Sequence, residues 1–521
     1  MTSDRLDPVT LSVLAGALVG AAEEMGALLV RAAYSSNVKE RRDCSAALFD
    51  ARGRMVAQAE HIPVHLGAMP EAVAAVLEKD PLPGDVFAVN DPYSGGTHLP
   101  DVTLVSPIAL AGETIGFAVT RAHHSDVGGM SPGSMPSGAR DVYQEGIVIP
   151  PVRLVRAYEP VRDTLDLILA NVRTPAIRRG DLRAQIAANR RGEERVEELV
   201  ERRGRETVLA AFDEVVAYAE RRSRDVVRAL PDGEYVAEGE IEGDGIADDD
   251  VPIQLAARVA GDSLTIDFTG TSAAVAGNVN CPLAVTRSAC YFALRVLLPD
   301  DVPANAGAYA PLAIVAPAGT VVNALPPSAV AAGNVETSQR IADTVLLALA
   351  QAAEGDERLP AQGQGTMNNV TLGGEGWTYY ETIGGGQGAN RNGAGASGVH
   401  VGMSNTLNTP IEALELEFPL RVERHELVYG SGGEGRHRGG DGIVRSLRVL
   451  EPATLSLLTD RRRHPPRGAS GGGPGRVGAN VVAAAEVRPK TSCELRAGDV
   501  VTIATPGGGG WGRSAGVAKK R

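Results

Sequence analysis

The chain has few cysteines for its length. Its 521 residues include four, Cys44, Cys281, Cys290 and Cys493, and no two of them form a CxxC pair. Disulfide frameworks and thiolate zinc sites need cysteines at short or matched spacings, so neither is expected to organise the fold. This usage is typical of a reducing compartment, and we predict a cytoplasmic protein.

Positive charge and long apolar runs are scarce as well. Asp and Glu number 64 against 51 Lys and Arg, which gives a net charge of −13. Because nucleic-acid binding depends on clustered Lys and Arg, no nucleic-acid partner is expected. No apolar run is predicted to span a bilayer, and the first residues lack the pattern of a secretion signal, so no membrane association is expected.

The sequence also lacks a nucleotide-binding loop. Its two glycine clusters, residues 384–388 and 507–510, carry no GxxxxGK[ST] pattern and do not clearly lie between a strand and a helix. We interpret both as tight turns, with an anion-binding loop as the alternative. Consequently, no ATP site is expected on this chain.

The pattern of apolar residues predicts a mixed α+β fold in four parts. Residues 1–172 combine a long helix with strand hairpins, and a charged helical segment follows at residues 173–231. An α+β region occupies residues 232–360, and glycine-punctuated strands and loops fill residues 361–521. This length is sufficient for a sizeable core in several parts.

Two helical predictions rest on specific signals. The first helix begins at Pro8 with Asp7 as its N-cap and continues to about Tyr34. The charged segment is interpreted as a solvated spacer, with a partner-contacting surface as the alternative. Three glycines are predicted to interrupt it, namely Gly180, Gly192 and Gly204.

Most of the polar chemistry lies in residues 90–129. A Gly/Pro-rich loop carrying His98 and Asp101 leads into two β-type runs that end on His123. A turn centred near Gly112 would fold these runs into an antiparallel hairpin and bring Asp101 opposite His123. Two imidazoles and a carboxylate suit a divalent zinc, manganese or iron ion. The alternative is a polar turn whose histidines bond backbone groups.

Three polar residues precede this stretch. Asp43 lies among charged neighbours just before a hairpin predicted around the turn DARG, and it is expected to be solvated. His61 and His65 have the i, i+4 spacing of a helical metal pair, but Pro63 between them disfavours a continuous helix. Loop packing is therefore the default interpretation for both histidines.

Ordered motifs extend over essentially the whole chain. They are RRDCSAALFD at 41–50, NDPYSGGTHLPDV at 90–102, HHSDVGG at 123–129, PPSAVAAGNVETSQRIAD at 326–343, GTMNNVTLGG at 365–374, YYETIGGGQGA at 379–389, NTPIEALE at 408–415 and TPGGGGWG at 505–512. In these motifs the chain resembles the hydantoinase B/oxoprolinase family, a subunit class that includes the alpha subunit of acetone carboxylase.

The resemblance implies a metal-bearing subunit that works with a larger, hydantoinase A-like ATP-dependent partner in a dimer of heterodimers. In the carboxylase relatives a His, an Asp three residues later and a second His hold a metal, and His98, Asp101 and His123 match that pattern. Asp43 also matches a family position and is the candidate for a further ligand. His124 matches another and is the candidate for an acid–base group.

This division of labour predicts that a cyclic amide is opened. The partner, using ATP and Mg²⁺, phosphorylates the carbonyl oxygen of a hydantoin, lactam or 5-oxoproline, and a metal on this chain activates the attacking water. His124 or Asp126 would move the protons. A subunit of an ATP-dependent ketone carboxylase and a non-catalytic scaffold stay open as alternatives.

The chain departs from the family pattern at one position. A second segment indicates which branch of the family the chain resembles more. Many members carry a second histidine two residues after the position of His400, where this chain has Gly402, so a difference in substrate or activity is expected. The segment at 407–415 favours a hydantoinase over a 5-oxoprolinase.

Overall fold

The computed structural model describes residues 6–59, 62–353 and 359–514 and has the predicted mixed α+β class. Its first elements are α1 (Pro8–Ala32), α2 (Ser36–Lys39), β1 (Cys44–Asp50), β2 (Met55–Ala59), α3 (Met69–Leu77), β3 (Val86–Val89), β4 (Asp101–Leu110), β5 (Glu113–His123), β6 (Val152–Arg156), β7 (Glu159–Pro160), α4 (Arg162–Ala170), α5 (Pro175–Arg203) and α6 (Arg205–Arg228).

Helix α1 begins as predicted, with the Asp7 carboxylate accepting the N–H groups of Val9 and Thr10 at 3.1 and 3.0 Å. By length and composition it is apolar enough to cross a membrane, with a mean hydropathy of 1.7, so the expectation that no run would qualify is wrong. A buried core helix meets the same criterion. Helix α1 packs against α5 and β2 through one face, formed by Leu14, Leu18, Ala21, Ala22, Met25, Gly26 and Leu29.

The N-terminal strands form a sheet of order β2-β1-β5-β4-β3-β6-β7. Both predicted hairpins are confirmed. Strands β1 and β2 pair across the DARG turn, and β4 and β5 pair across Ala111 and Gly112, which have φ values of +51° and +85°. The register places Asp101 opposite His123, as the turn predicts. Because β1 lies on the other side of β5, Asp43 reaches the same end of the sheet.

The charged segment is not a solvated spacer, contrary to expectation. Helix α5 runs unbroken through Gly180 and Gly192, and only Gly204 separates it from α6. At the two internal glycines a Cβ would lie 2.4 Å from the ring of Tyr34 and from Sδ of Met25, respectively. These glycines therefore allow close packing, and the inner face of α5 covers β4 and β5.

The middle of the chain contains β8 (Gly233–Glu242), β9 (Asp250–Ala260), β10 (Ser263–Asp267), α7 (Leu283–Leu297), β11 (Leu312–Val315), a π-helical turn (Gly333–Thr337) and α8 (Ser338–Ala352). The strands form a sheet of order β11-β10-β9-β8, in which β9 and β10 pair as a hairpin across Gly261. One apolar cluster continues from this region into the N-terminal sheet at Phe49 and Phe117 and reaches Leu458. The four-part division of the chain stays a prediction.

The rest of the described chain is rich in strands, as predicted. It contains β12 (Asn369–Gly374), β13 (Trp377–Glu381), α9 (Ile411–Glu417), β14 (Leu420–Leu427), β15 (Ile443–Val449), β16 (Ala453–Leu458), β17 (Ala479–Val482), β18 (Ala485–Glu486), β19 (Lys490–Leu495) and β20 (Val500–Ala504). These form sheets of order β13-β12-β16-β19 and β14-β15-β20-β17-β18, which share an apolar core.

The two glycine clusters are packed segments and not tight turns, which corrects the interpretation from sequence. The Gly508 N–H donates to the Gly440 carbonyl at 2.9 Å, and the Gly440 N–H donates to the Gln387 carbonyl at 2.8 Å. A Cβ on Gly386 would lie 2.1 Å from the nitrogen of Gly508. Glycine is required here because backbone packs directly against backbone.

Candidate metal centre

Three side-chain atoms converge where β4 begins and β5 ends. The His98 Nε2 lies 3.2 Å from the His123 Nδ1, and these nitrogens are 3.3 and 3.2 Å from the Asp101 Oδ1. All three residues are buried, at 0 to 2% exposure. Within the part of the chain that the structure describes, this is the only group of three or more potential metal ligands with such close atoms.

Local sequence explains the convergence. Asp101 and His123 form a cross-strand pair, which fixes their side chains on one face of the hairpin. The loop before β4 is held by Asn90, whose amide donates to the Leu99 carbonyl at 2.7 Å and accepts the Ile149 N–H at 2.6 Å. This loop delivers His98 to the open end of the hairpin, next to the pair.

The geometry fits a divalent cation. Ligands at about 2.0–2.1 Å from a zinc ion lie about 3.3–3.4 Å apart in a tetrahedron, and in an octahedron neighbouring ligands lie about 3.0 Å apart. The observed separations of 3.2–3.3 Å fall between these values. Among the described residues no group donates a well-directed hydrogen bond to the Asp101 Oδ1, although it faces two imidazole nitrogens. An arrangement of two histidines and one carboxylate suits zinc, manganese or iron.

A second layer of side chains holds Asp101. The Thr97 hydroxyl donates to its Oδ2, and the His65 Nε2 lies 3.5 Å from the same oxygen. On its far side the His65 Nδ1 is 2.9 Å from the Ser45 hydroxyl. Burial raises the pKa of the Asp101 carboxyl, but the nearby imidazoles of His98, His123 and His65 outweigh this and hold it well below its usual range.

His65 is therefore a buried packing residue that also contacts the cluster, and it is not part of the group of close donor atoms. The residue ends a short 3-10 turn, Pro63–His65, and lies in contact with the carboxylate of the cluster. No spacing signal could reveal this, because the contact joins His65 to Asp101 across the tertiary fold. His61, the other member of the sequence pair, lies outside the described residues.

His123 is covered from the C-terminal half of the chain. The Tyr380 ring stacks on its imidazole with 4.0 Å between centroids, and the Arg41 guanidinium lies 4.9 Å from the centre of the same tyrosine ring. The Asn37 amide donates to the His123 carbonyl at 2.6 Å. Burial lowers the pKa of His123 despite the neighbouring Asp101, which favours the neutral imidazole that binds metals.

Asp43 is buried, at 6% exposure, and the expectation that it is solvated is wrong. Its carboxylate lies 3.7 Å from the Arg41 guanidinium, and its backbone carbonyl accepts the His123 N–H at 3.0 Å. The residue therefore stands beside the cluster, but its carboxylate is not part of the tight group formed by His98, Asp101 and His123.

The structure does not bring His124 and Asp126 into the cluster. His124 follows His123 on the strand and bonds α5 instead, with its Nε2 2.9 Å from the Gln185 amide oxygen. Burial and the nearby Arg178 lower the pKa of His124 to about 4. Both oxygens of Asp126 are occupied by the N–H groups of Gly128, Gly133 and Arg173 and by the Arg173 guanidinium, at 2.9–3.0 Å.

Arg121 is a buried residue that sequence reasoning missed. It is 0% exposed, lies two residues before His123 on β5, and donates to the Thr103 hydroxyl at 2.7 Å and to the Gly95 carbonyl at 2.8 Å. Burial lowers its pKa to about 10 while the Asp101 charge opposes this shift. Strand alternation was the available signal, since residues 121 and 123 share a face.

The hydantoinase B/oxoprolinase family model matches residues 7–514, nearly the whole chain. The chain belongs to this family. Its relatives include the uncharacterized protein MJ0963 of Methanocaldococcus jannaschii, 40% identical over 97% of this chain and 91% of that protein. The putative B subunit of a D-/L-hydantoinase from a Pseudomonas species is 35% identical over 98% and 90% of the two chains.

Other family members are longer than this chain. 5-Oxoprolinase 1 of Arabidopsis thaliana is 39% identical over 97% of this chain, which spans 42% of that protein. Among solved structures, the ATP-dependent caprolactamase of Pseudomonas jessenii aligns with a TM-score of 0.90 at 30% identity, covering 98% of this chain and 93% of that one. Acetone carboxylase aligns with a TM-score of 0.88 at 20% identity, covering 98% and 76%, which shows a shared fold.

Gly402 of this hydantoinase B/oxoprolinase family member lies against the Gln339 side chain. It adopts a φ of +67°, and a Cβ would lie 2.3 Å from the Gln339 amide oxygen, which also accepts the Met403 N–H at 3.2 Å. The positive φ disfavours any other residue at position 402, because the end of the Gln339 side chain is flexible and does not by itself close the position. His400 and Gly402 line a cleft of about 360 Å³ between α7, α8 and three loops, and the His98 cluster does not line it.

Proposed function

We propose that the chain is the metal-dependent hydrolytic subunit of an ATP-dependent cyclic amide hydrolase. A hydantoinase A-like partner phosphorylates the carbonyl oxygen of a hydantoin, lactam or 5-oxoproline. Water then attacks the activated carbon at the cluster of His98, Asp101 and His123, and the ring C–N bond breaks as the nitrogen takes up a proton. Hydrolysis of the resulting acyl phosphate releases phosphate and the carboxylate. We further propose that the two subunits assemble as a dimer of heterodimers in the cytoplasm.

The observation that carries this proposal is the buried triangle of donor atoms with edges of 3.2–3.3 Å. Three such atoms on one side of a cation leave positions open on the other side. A divalent ion held there would supply Lewis-acid activation of water and of the developing oxyanion. A purely structural cluster would be expected to satisfy its carboxylate with hydrogen bonds, as Asp126 does.

The surrounding residues have positioning roles in this proposal. Thr97 and His65 hold the second oxygen of Asp101, which keeps the first oxygen directed at the imidazoles. Tyr380 fixes the His123 ring and keeps water from that face. Arg121 offsets the Asp101 charge, and Asp43 is the candidate for a further ligand because it lies at the same end of the sheet.

The sequence pattern assigns proton transfer to His124 or Asp126. Their contacts favour a different role, in which His124 ties β5 to α5 and Asp126 shapes the loop after β5. A buried imidazole whose pKa is about 4 is neutral at physiological pH and accepts a proton poorly. We therefore propose positioning roles for both residues.

Relatives support the need for a partner. One is named as the B subunit of a hydantoinase, and the aligned caprolactamase is described as ATP-dependent. Because 5-oxoprolinase 1 is more than twice as long as the region matched here, a separate chain would supply what the remaining length provides there. We propose that this separate chain binds ATP and Mg²⁺.

The test is reconstitution of the chain with a purified hydantoinase A-like chain that binds ATP. The expected result is phosphate release and ring opening that depend on a hydantoin, 5-oxoproline or caprolactam and on both chains. Acetone with bicarbonate serves as the opposing substrate pair. Turnover of that pair alone would replace the hydrolase with the carboxylase alternative, and full turnover after H98A and H123A would support a scaffold instead.

A further inference from the structure

A fourth polar group reaches the cluster from a distant part of the chain. The Asn334 amide nitrogen lies 3.3 Å from the His98 Nε2, although the two residues are 236 positions apart. Asn334 is buried, at 3% exposure, and its Oδ1 has no hydrogen-bond partner among the residues that the structure describes. Within the same described ranges, the amide oxygens of Asn189 and Asn278 are also buried without a partner, so what distinguishes Asn334 is its contact with the His98 imidazole.

The backbone is built to hold this amide in place. Asn334 lies in the π-helical turn Gly333–Thr337, and a Cβ on Gly333 would lie 1.9 Å from the Asn280 carbonyl oxygen. Glu336 accepts hydrogen bonds from the Thr366 hydroxyl at 3.0 Å and the Met367 N–H at 3.2 Å. The turn is thus fixed on both sides of Asn334. Single π-helical turns are frequent at functional sites.

The contact also constrains which amide atom can face the cluster when a cation is bound. The His98 Nε2 has one lone pair, which the amide N–H₂ faces in the structure. A cation bound to that lone pair removes the acceptor, so the N–H₂ group would lose its partner. Rotation of the amide by half a turn exchanges nitrogen and oxygen, and it would bring the unpartnered Oδ1 to the same place. Amide oxygens are suitable ligands for manganese and other hard cations.

We propose that Asn334 is an additional metal ligand, through its amide oxygen, at the centre formed by His98, Asp101 and His123. The Asn334 amide nitrogen, whose place the oxygen would take, lies 3.3 Å from the His98 Nε2, and the other donor atoms lie 3.2–3.3 Å from one another. This inference rests on the proposed metal-dependent function. The π-helical turn would thus add a ligand from a segment that is distant along the chain.

The experiment measures Zn²⁺ affinity of the purified full chain by competition with a chromophoric chelator. N334A removes the ligand and is expected to weaken Zn²⁺ binding about tenfold or more. N334D replaces a neutral oxygen with an anionic one in the same place, and it is expected to bind Zn²⁺ at least as tightly as the wild type. A structural role alone predicts that N334D weakens binding as N334A does.

Asn189 provides the matched control. It is also buried, and its amide donates to the Leu104 carbonyl at 3.1 Å and the Ser106 hydroxyl at 3.0 Å, farther along β4 from the cluster. N189A should therefore lose stability and keep the wild-type Zn²⁺ affinity. Wild-type affinity in N334A, or weakened binding in N334D, would overturn the assignment of Asn334. A wild-type chain that binds no Zn²⁺, Mn²⁺ or Fe²⁺ would overturn the proposed function itself. If N334A does not fold, N334D decides alone.

Discussion

Asp101 and Asp126 are both buried carboxylates near the end of the β4–β5 hairpin, at 1% and 0% exposure, and sequence patterns selected both as site residues. Four donors from Gly128, Gly133 and Arg173 occupy the two oxygens of Asp126. Asp101 has donors on one oxygen, while its other oxygen faces the nitrogens of His98 and His123. Hydrogen-bond satisfaction thus separates a carboxylate that shapes a loop from one available to a cation.

The largest effect, on kcat, is expected when Asp101 loses its charge. D101N should lower kcat for ATP-dependent ring opening about 10³-fold, because a cation-assisted step contributes several kcal/mol. The measurement is steady-state turnover with the ATP-dependent partner. Far-UV circular dichroism of D101N at the assay temperature should show a folded chain, which separates a chemical loss from a loss of fold. Turnover within threefold of the wild type would contradict the role of Asp101.

Asp126, whose two oxygens are fully hydrogen-bonded, is expected to affect stability and not metal binding. D126A leaves the buried N–H groups of Gly128 and Gly133 without an acceptor and should lower the free energy of unfolding by about 3 kcal/mol. Urea denaturation measures this change. The folded fraction of D126A should still bind one metal ion. D225A, at an exposed position on α6, is the control and should change stability by less than about 0.5 kcal/mol.

A third carboxylate, Glu145, extends the comparison to pH. Burial raises the pKa of Glu145 to about 8, although the N–H groups of Val330 and Ala331 lower it. In the unfolded chain Glu145 has its ordinary pKa of 4.5 and loses its proton above that pH, whereas the native state keeps the proton up to about pH 8. The free energy of unfolding of the wild type therefore falls as pH rises from about 4.5 to about 8.

E145Q removes this titration. Relative to the wild type, the variant should gain on the order of 3 kcal/mol of unfolding free energy between pH 4.5 and pH 8. Urea unfolding at pH 5 and pH 8 for both proteins measures the difference. Parallel pH dependence of the two proteins would show that Glu145 is ionised in the native state.

The smallest effect is expected when His65, which lies against the second oxygen of Asp101, is removed. H65A should weaken Zn²⁺ binding 10- to 100-fold, about 1.4–2.7 kcal/mol, because outer residues orient the metal ligands. Competition with a chelator measures the affinity. H124A is the matched histidine, and it should leave the affinity unchanged because its side chain bonds Gln185. Equal losses in the two variants would contradict this distinction.

Sequence patterns were sufficient for local geometry. The turn at Gly112 predicts both the β4–β5 hairpin and the facing of Asp101 and His123, because turn position sets register. The cap at Asp7 likewise predicts the start of α1. In both cases the residues that determine the structure lie within a few positions of one another.

Long-range packing is what the sequence could not provide. Charged neighbours made Asp43 look solvated, yet the folded chain buries it. His65 packs against Asp101, a contact that its position in the sequence does not show. Gly192 looked like a helix break because nothing in the sequence shows that Met25 packs against it. Asn334 and Tyr380 reach the centre from distant segments, and their spacing carries no signal.

In the proposed function His98, Asp101 and His123 together hold one divalent cation. Equilibrium dialysis of the purified chain against Zn²⁺ or Mn²⁺, followed by elemental analysis, tests it most directly. We predict one ion per wild-type chain and per D126N chain, and none in H98A, D101N or H123A. A wild-type chain without bound metal, or a D101N chain that retains a full equivalent, would contradict it.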